Sequence, residues 1–168
     1  MTASKTLFTI LSSGLLLLGT ACSSMKQPEQ PTSWEKTKEK NISNAQLQKI
    51  ASAYLNDIIR GLQKGDCALF NKHLVREAQV TPEKFKAFTH AFNTENGSLE
   101  KIDYLGRLER GPINVCIWSV RFSYPKARAE ALKKAGVKTN GFMPDQLYRL
   151  YLGHVDGQWR IFNFLTMD

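Results

Sequence analysis

The sequence predicts an α+β domain: N-terminal helices packed on a curved antiparallel four-stranded meander, with a helical insertion between strands two and three. Three observations carry that prediction. Between positions 43 and 96 the apolar residues recur at the three-and-four spacing of helices. From Leu99 onward the period changes to two, the spacing of strands. Near the end, Asp156-Gly157 separates two alternating apolar runs, the strongest short hairpin signal.

The first helix is predicted over Asn44 to Lys64. Ser43 with Gln46 forms a capping-box pattern, and Leu47, Ile50, Ala51, Tyr54, Leu55, Ile58 and Leu62 make one apolar face. Gly65 suits the C-cap, and Asp66 can cap a short helix over Ala68 to Leu74. Thr81-Pro82-Glu83 opens another helix, with Thr as cap and Pro at the first helical position. Phe85, Phe88 and Phe92 give that helix a core-facing stripe, and Asn96-Gly97 ends it.

Strands are then predicted over Leu99–Glu109 and Ile113–Tyr124, joined by Gly111-Pro112. Cys116, Trp118, Val120, Phe122 and Tyr124 share one face of the second. Pro125 to Ala135 reads as a helix closed by Gly136, with Ala127, Ala131 and Leu132 inward. Gln146–Val155 and Gln158–Thr166 are the last two strands. A two-residue turn sets their register, so Leu152 faces Ile161, Leu150 faces Asn163 and Tyr148 faces Leu165. That face is apolar apart from His154 and Asn163, and the opposite face carries Arg149, Tyr151, Arg160, Phe162 and Phe164. A face so rich in aromatics is expected to be partly covered, by the inserted helix, the preceding segment or a second copy.

Ahead of this domain, Lys5 is followed by an apolar run from Leu7 to Leu18, shorter than the about 20 residues that span a bilayer. It matches the apolar region of a secretory signal. Gly19, Thr20, Ala21 and Cys22 then resemble the lipobox of bacterial lipoproteins, with Gly19 where that family prefers Leu. The resemblance implies cleavage before Cys22, a diacylglyceryl group on its thiol and acylation of its amine. It divides the chain into a signal peptide (1–21), a flexible tether (22–42) and one domain (43–168). Two or three acyl chains anchor stably where one does not. Ser23, in place of the Asp that retains such proteins at the inner membrane, implies the outer membrane, facing the periplasm, in a two-membrane cell. Trp34 is the tether's only large apolar residue, placed to touch the membrane interface or to dock on the domain.

Composition is that of a globular protein, 42% hydrophobic and 23% charged. The excess of 23 Lys and Arg over 15 Asp and Glu suits an anionic membrane surface or an acidic partner. No basic cluster with interleaved aromatics of the nucleic-acid-tracking kind occurs, so a nucleic-acid partner is not expected. No Cys/His spacing suggests a metal, and no motif names a cofactor. With Cys22 assigned to lipid, Cys67 and Cys116 remain as an even pair in an oxidising compartment, open to a disulfide or to two buried thiols.

The long helix ending in Leu62-Gln63-Lys64-Gly65-Asp66, the short aromatic helix at Ala68-Leu69-Phe70, the strand around Trp118 and the closing Gly157-Gln158-Trp159-Arg160-Ile161 together resemble the nuclear transport factor two-like (cystatin-like) superfamily. The resemblance runs from about Ser43 to Leu165 and implies a cone-like sheet around the long helix, with a pocket at its wide end. It departs from the family at the Pro125–Gly136 insertion. Members include dehydratases, isomerases, small-molecule binders, secretion scaffolds and envelope lipoproteins, so the fold alone does not name a function. Enzymes of the superfamily place a carboxylate or histidine in the pocket. The candidates here are Asp103, Tyr104, His154 and Asn163, with no nucleophile elbow, phosphate loop or carboxylate pair to fix a catalytic role. The expectation is a lipid-anchored binding or assembly module, with Arg149, Tyr151, Arg160, Phe162 and Phe164 contacting a second copy or an envelope protein. The alternatives are a dehydratase- or isomerase-type pocket enzyme and a carrier of hydrophobic ligands.

Overall fold

The computed structural model describes residues 32–38 and 40–167. The signal peptide and the lipobox lie outside the described residues. The elements are α1 (Asn44–Lys64), α2 (Cys67–Asn71), a 3-10 turn (Arg76–Ala78), α3 (Pro82–Glu95), β1 (Leu99–Arg110), β2 (Ile113–Phe122), α4 (Lys126–Lys134), β3 (Gln146–Val155) and β4 (Gln158–Met167). The strands form one antiparallel sheet in the order β1-β2-β3-β4. This is the α+β layout read from the sequence, helices first and meander after, with α4 between the second and third strands.

Local chemistry accounts for most boundaries. The Ser43 hydroxyl accepts from the Gln46 amide at 3.2 Å while Gln46 Oε1 accepts from the Ser43 amide at 3.4 Å, closing the capping box. Gly65 ends α1 in the left-handed region at φ 69°, and its N–H returns to the Gly61 and Leu62 carbonyls. Asp66 then caps α2 through the Leu69 amide at 2.9 Å. Between its caps, α1 buries Leu47, Ala51, Leu55, Ile58, Ile59 and Leu62 against the inner sheet face. Each large side chain among them contributes about 1.5–3 kcal/mol. The inner face supplies Cys116, Trp118, Val120 and Phe122 from β2 with Tyr148 and Leu150 from β3.

Four features differ from the expectation. The short helix stops at Asn71 rather than Leu74, because residues 73–75 turn to run beside β4. There Ile161 N–H donates to the His73 carbonyl at 2.8 Å and Val75 N–H to the Ile161 carbonyl at 2.9 Å. The insertion helix α4 forms, but Ala127 and Ala131 are exposed and Leu132 only half-buried, so it caps no core.

The third difference is the hairpin register. It runs as predicted from Val155↔Gln158 to Leu152↔Ile161, then slips by one at Phe162, and Leu150 faces Phe164 instead of Asn163. Such a bulge inserts one residue and reverses the faces beyond it. Energetics favour the slip. In the unbroken register the Asn163 amide would enter the core, costing about 1–3 kcal/mol if unpaired, while Phe164 would lose burial worth about 1.5–3 kcal/mol. In the bulged register Phe164 packs on Tyr148 with ring centroids 5.6 Å apart, and the Asn163 side chain folds back to accept from the Phe164 amide at 2.9 Å.

The fourth concerns the tether, expected to be flexible, with docking of Trp34 on the domain as one of the alternatives. Its described part docks on the outer sheet face as a strap. Trp34 packs on Phe162 at a centroid distance of 4.5 Å. Ser33 N–H and its hydroxyl both donate to the Glu77 carboxylate, at 3.1 and 2.9 Å. Lys38 N–H donates to the His154 carbonyl at 3.1 Å, at the end of β3 beyond its pairing with β2. The strap passes because position 153 is glycine: a Cβ there would stand 2.6 Å from the Phe162 ring and 2.9 Å from Ile113 and from the Thr37 methyl. Beneath it Val75, Ile113, Val155 and Phe162 form a second small core. Of the alternatives for covering this face, the tether covers the hairpin end.

Candidate functional site

The candidate pocket residues occupy four separate surroundings. Asp103 lies on the outer face of β1 opposite Ser119 and pairs with Lys101 at 2.7 Å. Tyr104 lies on the inner face, edge-on to Trp118 at 5.5 Å, and donates to Asn44 Oδ1 at 3.1 Å. Burial pushes its hydroxyl up to about 12, so it stays protonated at neutral pH. His154 stands beside the hairpin turn, with Nε2 3.1 Å from Lys40 Nζ and its ring edge-on to Trp159. Asn163 is on the outer face, opposite Tyr151. These four do not converge, because the bulge removes Asn163 from the inner face, Asp103 and Tyr104 lie on opposite faces of β1, and His154 lies at the hairpin end of β3. The inner face itself is filled by Trp118, Tyr148 and Phe122.

The five candidate contact residues are also divided. Phe164 belongs to the main core, and Phe162 is covered by Trp34. Arg160 is held by neutral acceptors, Nη1 donating to the Lys72 carbonyl at 3.2 Å and Nη2 to Gln158 Oε1 at 2.6 Å. Arg149 and Tyr151 remain on the outer face, half-buried. Arg149 Nε is buried with no acceptor among the described residues.

Cys67 and Cys116 are free thiols, so the disulfide alternative is not formed. Cys67 Sγ accepts from Asn71 Nδ2 at 3.4 Å and lies 3.7 Å from the Val80 carbonyl. Cys116 is fully buried beside Tyr104, and burial pushes its thiol up to about 11.

Two arrangements were not anticipated. The first is a polar cluster on the solvent side of α1. Asp57 Oδ2 accepts from His73 Nε2 at 2.9 Å and from Lys72 Nζ at 3.0 Å. The His73 ring stacks on Tyr54 at 3.8 Å, and the Tyr54 hydroxyl donates to the Trp159 carbonyl at 3.0 Å. Burial pushes His73 below its ordinary value against the opposing bond from Asp57. Burial alone would raise Asp57, but the bonds from His73 and Lys72 hold it lower. The pair is therefore a neutral imidazole donating to a carboxylate at neutral pH. The signal for it was the Gly65-Asp66 turn, which folds residues 72–73 back beside α1.

The second is a cleft of about 500 Å³ between the strap, the 3-10 turn and the β3–β4 hairpin. Asp156 and Gly157 make the tight turn at its rim with positive φ of 48° and 81°, as two-residue hairpins require. Its floor is apolar, from Leu74, Val75 and Val155, and Lys36, Arg76 and Arg160 reach it from three different elements. The carboxylates at its edge are engaged. Glu77 is held below the usual range by backbone hydrogen bonds, with Ser33 contributing, and Asp156 lies 3.9 Å from Lys36.

No family model matches this chain, and no curated protein matches it. Among solved structures it is similar to an Rd1NTF2 variant carrying five substitutions, at 11% identity and a TM-score of 0.47, covering 72% of this chain and 99% of that one. It is also similar to AclR, a candidate hydroxylase from Streptomyces galilaeus, at 11% identity and a TM-score of 0.38, covering 74% of this chain and 79% of that one. At these values neither likeness transfers a residue role or a ligand to this chain.

Proposed function

We propose that this protein is a lipid-anchored envelope lipoprotein whose folded domain is a binding module. The observation that carries the reading is the apolar run ending in Leu18, followed by Gly19-Thr20-Ala21-Cys22. Acylation of the Cys22 thiol and of the amine freed by cleavage would place two or three chains in the bilayer, enough for stable anchoring. Ser23 favours the outer membrane in a two-membrane cell.

Binding rather than catalysis is supported by the separation of Asp103, Tyr104, His154 and Asn163, which leaves none of these four beside another in a shared cavity. Partner contact through the outer sheet face is narrowed to Arg149 and Tyr151, where Arg149 Nε lacks an acceptor. The test of the anchor is Cys22→Ser followed by membrane fractionation and palmitate labelling. Loss of label and release into the soluble fraction are expected, and unchanged membrane retention would refute lipid anchoring.

A further inference from the structure

We propose that the cleft under the strap is a binding site for a phosphate ester, with Arg160, Arg76 and Lys36 as its cationic walls. The inference deepens the binding-module reading by naming a site and a ligand class. It does not depend on the anchor, because every residue involved lies in the folded domain.

The argument starts from charge that is positioned but not neutralised. Arg160 is fixed by a backbone carbonyl and a glutamine amide, both neutral, so its guanidinium is oriented while its charge stays available. Its field is felt nearby, where it opposes the rise of the Tyr54 hydroxyl and helps to lower His73. The Arg76 side chain makes no hydrogen bond or ion pair among the described residues, while its charge helps to hold the Glu77 carboxyl down and its carbonyl accepts from the Gln79 amide. Lys36 is joined to Asp156 only by a long, exposed pair at 3.9 Å, which contributes little and yields readily to a stronger anion. Glu77 also lines the cleft and offsets part of the Arg76 charge, but both of its oxygens accept from Ser33.

The three cations come from the strap, the 3-10 turn and β4, so they approach the cleft from different walls. An anion serving all three needs oxygens in several directions, which a tetrahedral phosphate has and a planar carboxylate lacks. Leu74, Val75 and Val155 at the floor are nearly buried, so the accessible lining is mostly polar, and a cleft of about 500 Å³ is of small-molecule size. The shared chemistry fits a soluble phosphate ester or a phospholipid headgroup.

The experiment uses the full chain carrying Cys22→Ser, which cannot be acylated on that thiol, with Arg76→Gln in the same background as the control for association through Leu7–Leu18. In one arm glycerol 3-phosphate is titrated calorimetrically. In the other the protein is floated with phosphatidylcholine vesicles with and without phosphatidylglycerol. Binding in the first arm identifies a soluble ester, and phosphatidylglycerol-dependent flotation alone identifies a headgroup; either supports the site, provided that Arg76→Gln weakens it by about tenfold or more. The Arg76 side chain makes no hydrogen bond among the described residues, so this variant tests the site without unfolding it, and Arg160→Gln is the second variant. No binding in both arms overturns the proposal, as does binding that both variants leave unchanged. Anchoring is read separately by fractionation of the unmodified chain, so failure of one reading is distinguishable from failure of the other.

Discussion

At the scale of single residues, position 153 decides whether the strap can dock. Its missing Cβ leaves room that Phe162, Ile113 and the Thr37 methyl already occupy. Gly153→Ala is expected to cost about 1–3 kcal/mol, the usual penalty for overpacking, seen as a lower urea midpoint. The Asp57–His73 pair sets a pH dependence. Both groups have folded values below their unfolded ones, so the unfolded chain binds more protons as pH falls. Their stabilisation is complete above the unfolded histidine value of about 6.5. It declines first as His73 is forced to protonate and again as pH falls below about 4 through the range of Asp57. Urea midpoints measured from pH 7.5 to 5 should therefore fall, and His73→Gln should flatten that slope. An unchanged slope would remove His73 from the account. Neither feature was legible as a role. His73 carries no ligand spacing in the sequence, and its partner is set by a turn that returns the chain to α1.

At the scale of elements, legibility followed locality. The bounds of α1, its capping box, its left-handed glycine, the Thr81-Pro82 start of α3 and the Asp156-Gly157 turn are all decided by groups within a few residues of one another, and all were readable. The insertion helix shows the limit. Its propensity is adequate, yet no residue of α4 is buried, so its helicity rests on local bonds alone, which are marginal for so short a segment. Backbone amides of α4 are expected to exchange with deuterium orders of magnitude faster than those of α1. Comparable protection in the two helices would show that α4 is held by tertiary contacts. The strap is the opposite case, a polar segment with little propensity that is held by Trp34, Ser33 and Lys38 through long-range contacts.

At the scale of the whole molecule, the helical layer and the sheet are joined by packing and not by a covalent staple. Cys67 sits on α2 and Cys116 inside the sheet, both as free thiols. The urea midpoint should therefore be the same with and without reductant, and two thiols besides Cys22 should react once the chain is unfolded. A reductant-sensitive midpoint would show a disulfide after all. The same scale creates the cleft, since its walls come from the strap, the 3-10 turn and the hairpin, which together span more than a hundred positions of sequence.

The sequence by itself determined the class, the order of elements, the caps and the hairpin turn, because periodicity and capping act over one or two turns of chain. Only the tertiary structure decided which of Asn163 and Phe164 enters the core. That choice depends on the space between α1 and the sheet, and a single bulge at Phe162 settles it by reversing every face beyond. Tertiary structure also decided that the segment from Thr32 to Lys38 docks on the sheet, because the surface receiving it is assembled from β3, β4 and the 3-10 turn only after those elements have packed.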